Sequence, residues 1–187
     1  MNKFSLTLAL ISPSKTAQSG AALIVSLLFL VMLTLVGISA MTTTTLEEKM
    51  SANARDYNVA FQSAEAALRD AWTDINSARI SRVTGFGTSC AEGLCERSST
   101  TSIPVWSSIN WSASGLSVPY GSKTGAVLLP VGPGGVTTLP RYILEAFVDP
   151  KSSLVIGKQT YLYRATARGY GASDAAQVTV QTTYRPQ

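Results

Sequence analysis

The longest run of apolar positions in the chain lies between Ala21 and Met41, well inside the N-terminus. The run carries no charge, and the nearest charged residues are Lys15 before it and Glu47 after it. A helix of this length is about 31 Å long at a rise of about 1.5 Å per residue, which matches the hydrocarbon thickness of a bilayer. The pattern therefore predicts a membrane-spanning helix over residues 21–46.

Residues 1–20 form a leader that contains Lys3 and Lys15 but no acidic residue. Basic residues next to a spanning helix favour the cytoplasm, so we expect the bulk of the chain outside. A cleavable secretory signal and a plain signal anchor are the two alternatives. The apolar run is longer than the about 7 to 15 residues of a cleavable signal. Neither alternative accounts for the small-residue junction that ends at Gly20, before the run.

The apolar periodicity continues beyond the membrane segment. Apolar residues recur at spacings of four and three, which is typical of one buried helix face. No proline occurs between Ser14 and Pro104. We therefore predict one helix from about residue 21 to 78, whose second part, within residues 47–80, packs on a head formed by residues 81–187. The predicted packing stripe consists of Tyr57, Phe61, Ala64, Leu68, Ala71 and Ile75.

The C-terminal third shows the two-residue alternation of β-strands. Strands are predicted at Arg141–Val148, Thr160–Arg168 and Gln177–Tyr184, with a fourth at Thr124–Val131. The turn-rich segment before Gln177 predicts a hairpin of the last two strands. The expected fold class is α+β, with one long N-terminal helix packed on an antiparallel β-sheet head.

Both ends of the chain resemble PilX-type minor pilins of type IV pilus systems. The segments that carry the resemblance are TLEEKM, FQSAEAALRDA and the C-terminal YRATARGYGASDAAQVTVQTTYRP. The middle, from about Ser81 to Leu139, is not covered by it. The resemblance implies a type IV pilin-like fold. It also implies that a prepilin peptidase cuts after Gly20 and that the new N-terminus at Ala21 is a candidate for methylation.

Val25 departs from the common pilin pattern, which has a glutamate five residues after the cut. In that family the acid is thought to neutralise the terminal amine of a neighbouring subunit. A subunit without it suits the end of a filament, so we expect a position near the tip. Gly37 and the threonines 42–45 resemble the stretch where pilin helices extend in the filament. Alternatively, Gly37 allows close contact with another membrane helix and the threonines lie at the headgroup level.

The resemblance also implies a location and partners. We expect a single-pass protein of the bacterial inner membrane with its head in the periplasm, later part of the extracellular pilus. The implied partners are other minor pilins, the major pilin and a tip-associated adhesin. The expected role is priming of pilus assembly in support of adhesion or motility. The alternatives are a pseudopilin of type II secretion and a membrane-anchored periplasmic ligand-binding module.

Cys90 and Cys95 are the only cysteines, and the chain contains no histidine. A structural zinc site needs four such ligands, so we expect no metal. In an exported domain a close cysteine pair favours a small disulfide, with two free thiols as the alternative. The region around Cys90 and Cys95 departs from the scaffold that the resembling family shares, so we expect it to contact partner subunits. Trp106 and Trp111 are expected to fill the core, the alternative being a ligand platform.

The remaining composition points away from nucleic-acid binding and catalysis. The net charge is +4, and without the two leader lysines it is 15 − 2 − 11 = +2. The closest basic pair, Arg164 and Arg168, is interpreted as a solvated strand edge. Without histidine no Ser-His-Asp site exists, and Glu145 and Asp149 are not predicted to meet as an acid-base pair. No phosphate-binding glycine motif occurs. We expect no enzyme, no cofactor, no small-molecule substrate and no nucleic-acid partner.

Overall fold

A computed structural model of the protein describes residues 19–77, 79–80, 84–96, 103–149 and 160–185. Residues 1–18 of the predicted leader lie outside this part. The chain divides after Glu48 into two compact units. The described elements are α1 (Ser19–Ile75), β1 (Leu94–Glu96), α2 (Val105–Ser108), β2 (Val118–Pro119), β3 (Arg141–Val148), β4 (Tyr161–Tyr170) and β5 (Gln177–Tyr184).

The first unit consists, in its described part, of the N-terminal portion of α1. Every residue from Gly20 to Glu48 is exposed, and residues 20–46 contain no charged side chain. Among the described residues α1 is the one helix long and apolar enough to cross a membrane. The predicted spanning segment is thus helical throughout.

The prediction of one long helix is confirmed, and α1 ends at Ile75. The prediction placed the end near residue 78. After Ile75 the chain leaves the helix through a turn in which the Ser77 N–H donates to the Asp74 carbonyl at 3.0 Å. The absence of proline explains the continuity, because no position in α1 lacks the N–H that the helix needs.

The second unit contains a mixed sheet in the order β1-β3-β4-β5, with β2 also paired to β3. β3, β4 and β5 are antiparallel neighbours, as predicted, with Leu144 opposite Ala165 and Ala167 opposite Val180. The predicted hairpin of the last two strands is present. β1 joins β3 in parallel, so the sheet is not purely antiparallel.

The predicted strand at Thr124–Val131 is wrong. This segment is a loop, and only Val131 makes a bridge, to Val136. Asp70 of α1 accepts hydrogen bonds from Thr124 and from the N–H of Gly121, at 2.7 Å for Gly121, which fixes the start of the loop away from the sheet. Val127 is 89% exposed. The short strands β1 and β2 occupy the sheet positions beside β3 instead.

The sheet has two differently covered faces because its side chains alternate. One face packs on α1 and contains Tyr142, Leu144, Tyr163, Ala165 and Ala167. On the other face, Ile143 forms a second cluster with both cysteines and Trp111. The second unit therefore has a helix-side core and a smaller core beneath the disulfide.

Candidate functional site

Most serine and threonine hydroxyls of the apolar segment from Gly20 to Leu46 form hydrogen bonds with the backbone of the same helix. Six of them donate to carbonyls three or four residues earlier, at 2.8 to 3.1 Å. Such local bonds satisfy a hydroxyl without water or a partner. The six residues are Ser26, Thr34, Thr42, Thr43, Thr44 and Thr45. Their polarity is therefore compatible with an apolar surrounding.

The predicted processing and assembly residues lie on this exposed helix. Gly20 and Ala21 are in its first turns, and Val25 is 50% exposed. A Cβ added at Gly37 would meet no atom within 4 Å, so Gly37 forms a flat patch on the helix surface. The helix is regular through Gly37 and the four threonines. The extension of this stretch in a filament stays a prediction.

The predicted packing stripe is buried over four of its six positions. Ala64, Leu68, Ala71 and Ile75 are at most 5% exposed, whereas Tyr57 and Phe61 are 54% and 47% exposed. Tyr57 and Phe61 therefore do not belong to the buried part of the predicted stripe. The face that α1 buries begins instead at Ala60, because a glycine of the sheet approaches the helix backbone there.

A group of small residues, the small-residue seam, joins α1 to β4. It consists of Ala60, Ser63 and Ala64 on the helix and Gly169 and Gly171 at the end of β4. An added Cβ at Gly169 would lie 2.1 Å from the Ala60 carbonyl oxygen and 2.4 Å from the Ala64 nitrogen. The Ser63 hydroxyl lies 3.0 Å from the Tyr170 carbonyl oxygen. Only glycine fits at this backbone contact.

Two buried aspartates of α1, Asp70 and Asp74, also attach the helix to the rest of the head. Asp74 pairs with Arg79 and accepts a hydrogen bond from the Tyr142 hydroxyl at 2.8 Å. Burial, together with the negative charge of Asp74, raises the pKa of Tyr142, so this phenol remains a donor. Asp70 holds the start of the loop described above. Sequence periodicity missed both aspartates, because polar residues within an apolar helix face are ordinarily exposed.

The predicted disulfide between Cys90 and Cys95 is confirmed. It closes a tight turn in which Cys90 and Glu92 have positive φ values of 52° and 51°. Both cysteines are buried beside Ile143 and Trp111. Trp111 is 3% exposed and its indole N–H donates to the Trp106 carbonyl at 3.1 Å. The disulfide thus faces inward, and Trp111 is a core residue, as expected.

Arg164 and Arg168 do not form a solvated strand edge. Their strand, β4, lies between β3 and β5, and Arg164 donates two hydrogen bonds to the buried Glu145 at 2.8 and 2.7 Å. The hydrogen bonds to Glu145 raise the pKa of Arg164. The Arg168 guanidinium lies 4.9 Å from the centre of a Trp111 ring. The prediction was wrong because alternation gives a strand's faces but not its place in the sheet.

Asp149 and Glu145 have different partners, and Asp149 forms an ion pair with Arg185 in which nitrogen and oxygen are 2.5 Å apart. Each carboxylate is thus neutralised by its own arginine. In the described ranges no group of three His, Cys, Asp or Glu side chains is arranged to hold a metal. A groove of about 830 Å³ runs between α1 and the loop at residues 129–136, lined by residues such as Val59, Gln62, Ala66, Arg69 and Pro130.

Comparison with known families matches both parts of the chain. Residues 19–69 match the family described as PilX N-terminal. Residues 90–186 match the family described as Type IV pilus assembly protein PilX C-term. The second match extends from the disulfide to the end of the sheet. No curated protein and no solved structure matches the chain.

Proposed function

Because the chain belongs to the PilX family of type IV pilus assembly proteins, we propose that it is a minor pilin that helps to initiate pilus assembly. One observation carries the proposal. The exposed, uncharged segment from Gly20 to Leu46 is part of the same helix that anchors the folded head. Such a segment needs an apolar surrounding, which either a bilayer or the helices of other pilins supply. The role is structural rather than enzymatic.

Before assembly, the protein crosses the inner membrane once with its head in the periplasm. The basic leader, which includes Lys3 and Lys15, keeps the N-terminus in the cytoplasm. Prepilin peptidase then cuts after Gly20 and Ala21 becomes the methylated N-terminus. Removal of the leader frees the helix from the cytoplasmic face. The helix can then leave the bilayer for a fibre of like helices.

Within the pilus the protein acts at or near the tip. The support is Val25, which leaves the described segment from residue 20 to 46 without an acid that could pair with a neighbour's amine. A charge at the centre of a spanning helix costs about 2.5 to 3.5 kcal/mol, and valine avoids this cost. The partners are other minor pilins, the major pilin and a tip-associated adhesin. Together they prime a pilus that serves adhesion or motility.

The N-terminus of the mature protein tests the processing. We expect Edman sequencing or mass spectrometry of the protein from piliated cells to give a start at Ala21, and Gly20→Arg to leave the leader attached. An intact Met1 in the wild type, or a start near Ala40, would contradict a pilin. The first result would fit a membrane-anchored ligand-binding module, and the second would indicate cleavage by signal peptidase.

Deletion of the gene tests the priming role. We expect few or no surface pili in the deletion strain and recovery on complementation, counted by electron microscopy of sheared and unsheared cells. Normal piliation without the protein would refute priming. Unchanged piliation combined with a defect in protein secretion would identify a type II secretion pseudopilin. Complementation by Val25→Glu tests the tip position, since we expect this variant to occur along the shaft as well.

A further inference from the structure

β5 forms one edge of the sheet, and its only strand partner in the described part of the chain is β4. Its eight residues, QVTVQTTY, contain no charge, no proline and no glycine. Natural sheets commonly protect a long edge strand with lysine, proline or a bulge, because unpaired backbone groups bind other strands. The opposite side of the sheet is protected by shortness, since β1 and β2 have three and two residues. β5 lacks any such protection.

The register identifies the backbone groups at this edge. The Gly171 N–H donates directly to the Ala176 carbonyl at 2.9 Å, so these two residues form a hydrogen-bonded pair. Hydrogen-bonded and non-hydrogen-bonded pairs alternate along an antiparallel ladder. The N–H and C=O groups that point away from β4 therefore belong to every second residue of β5, namely Gln177, Thr179, Gln181 and Thr183.

An apolar flank of α1 lies beside the same edge. Trp72 and Tyr184 have ring centroids 4.9 Å apart, and the Tyr184 hydroxyl donates to the Leu68 carbonyl at 3.0 Å. Tyr57 and Phe61 share this side of the helix with Leu68 by the helical period, and both are about half exposed. A strand added about 4.8 Å beyond β5 would direct alternate side chains towards this flank.

We propose that β5 is the docking edge for an extended segment of another pilus subunit, which joins the sheet as a sixth strand. Its backbone pairs with the outward groups of β5, and its alternate apolar side chains contact Tyr57, Phe61 and Trp72. The identity of the partner as a pilus subunit rests on the proposed function. The chemistry of the edge, a row of alternating donors and acceptors, specifies an extended polypeptide as the occupant.

A second copy of the chain fits this edge poorly. Two copies related by a two-fold axis would pair their β5 strands antiparallel within one continuous sheet. The helices on the two heads would then run in opposite directions along a shared face. In each copy Val180 and Tyr184, on the helix side of β5, already pack against the core of that copy. They could not also contact Tyr57, Phe61 and Trp72 of the other copy, as the side chains of the proposed strand do.

The test uses Gln181, whose N–H points outward at the centre of β5. Gln181→Pro removes that donor and blocks strand addition while breaking no ladder bond with β4. Gln181→Val is the matched control, because both variants lose the bond from the Gln181 amide to the Thr166 hydroxyl. Full-length variants complement the deletion strain, and the amount of tagged protein in sheared pili is measured. We expect Gln181→Pro to enter pili about tenfold less than Gln181→Val or the wild type.

Amide exchange of the wild-type protein gives a readout that does not depend on a variant. In the detergent-solubilised protein the outward amides of Thr179, Gln181 and Thr183 should exchange fast. In sheared pili they should be protected, while the inward amides of Val180 and Thr182 are protected in both samples. Fast exchange of the outward amides in pili, or equal incorporation of both variants, overturns strand addition and leaves the pilus role intact.

Two further outcomes identify other errors. A dimer of the purified protein in sedimentation, abolished by Gln181→Pro, would overturn the proposal in favour of self-pairing. Absence of the wild-type protein from sheared pili would refute the proposed function itself, and with it the partner assigned to β5.

Discussion

Gly169→Ala tests the small-residue seam between α1 and β4. The new methyl group would lie 2.1 Å from the Ala60 carbonyl oxygen and 2.4 Å from both the Ala64 nitrogen and the Ser63 hydroxyl oxygen. Ordinary contacts of a Cβ begin at 3.4 Å, so the two backbones must separate by about 3.4 − 2.1 = 1.3 Å. Two of the three opposing atoms are backbone, which no change of rotamer can move.

Separation of the seam also loosens the alanine contacts on either side, so the cost exceeds that of a single clash. Overpacking of a core costs about 1 to 3 kcal/mol, and we expect the upper end of that range or more in the free energy of unfolding. Chemical denaturation of the full-length protein in detergent, followed by near-ultraviolet circular dichroism, measures this loss. A cooperative transition at lower denaturant concentration is the expected result.

Gly87→Ala is the matched control, because its Cβ would meet nothing nearer than 4.0 Å and Gly87 has no positive φ. We expect this variant to change the free energy of unfolding by less than about 0.5 kcal/mol. Ala60→Gly should not rescue Gly169→Ala, since the opposing atom of Ala60 is its carbonyl oxygen. Equal stability of the two glycine variants would refute the close contact of α1 and β4.

Three further predictions concern the disulfide and two hydrogen-bonded aspartates of the head. Cys90→Ser should lower the free energy of unfolding by about 2 kcal/mol, the lower end of the usual effect, because the disulfide closes only a short ring. Treatment of the wild type with a reductant should reproduce this loss. Asp74→Asn should cost about 3 kcal/mol in the same assay, because the partly buried Arg79 then keeps only the exposed Glu92, 3.9 Å away, as a counter-charge. A cost no larger than that of an exposed substitution would contradict the buried pair. The Ser173 hydroxyl and neighbouring N–H groups donate to Asp56 and lower its pKa below the ordinary 3.8. The stabilisation from these bonds is therefore complete above the ordinary pKa and is lost as pH falls through the lower pKa of the folded state. The difference in thermal midpoint between wild type and Asp56→Asn should shrink on acidification. A difference that is independent of pH would contradict the lowered pKa of Asp56.

Sequence periodicity predicted the elements whose pattern is long. The helix and the three long strands each repeat a period over eight or more residues, and the disulfide was predicted from two close cysteines in a domain expected to be exported. β1 and β2 were missed because two or three residues show no period. Thr124–Val131 has the composition of a strand, but the bonds from Asp70 hold it elsewhere. Long-range hydrogen bonds of this kind are not visible in a local pattern.

The packing stripe shows a second limit of the sequence. Tyr57 and Phe61 continue the helical spacing of the four buried residues of the stripe, and this spacing made them the expected contacts. The helix instead presents Ala60 and Ala64 to the sheet, because Gly169 allows the backbones to touch. Close approach between small residues selects the buried side of the helix, and the spacing of apolar residues does not reveal such a backbone contact. The same geometry leaves the aromatic residues available beside β5.

The hydrogen bonds of the six hydroxyls in the apolar segment affect how this helix could pass from a bilayer into a fibre. Each of the six bonds closes within one turn of the helix, so none of them depends on lipid, water or a neighbouring chain. If the protein functions as proposed, extraction from a bilayer into a bundle of helices would therefore break none of these six bonds. Any difference in free energy between these two surroundings must then come from the packing of the helix and not from these six hydroxyls.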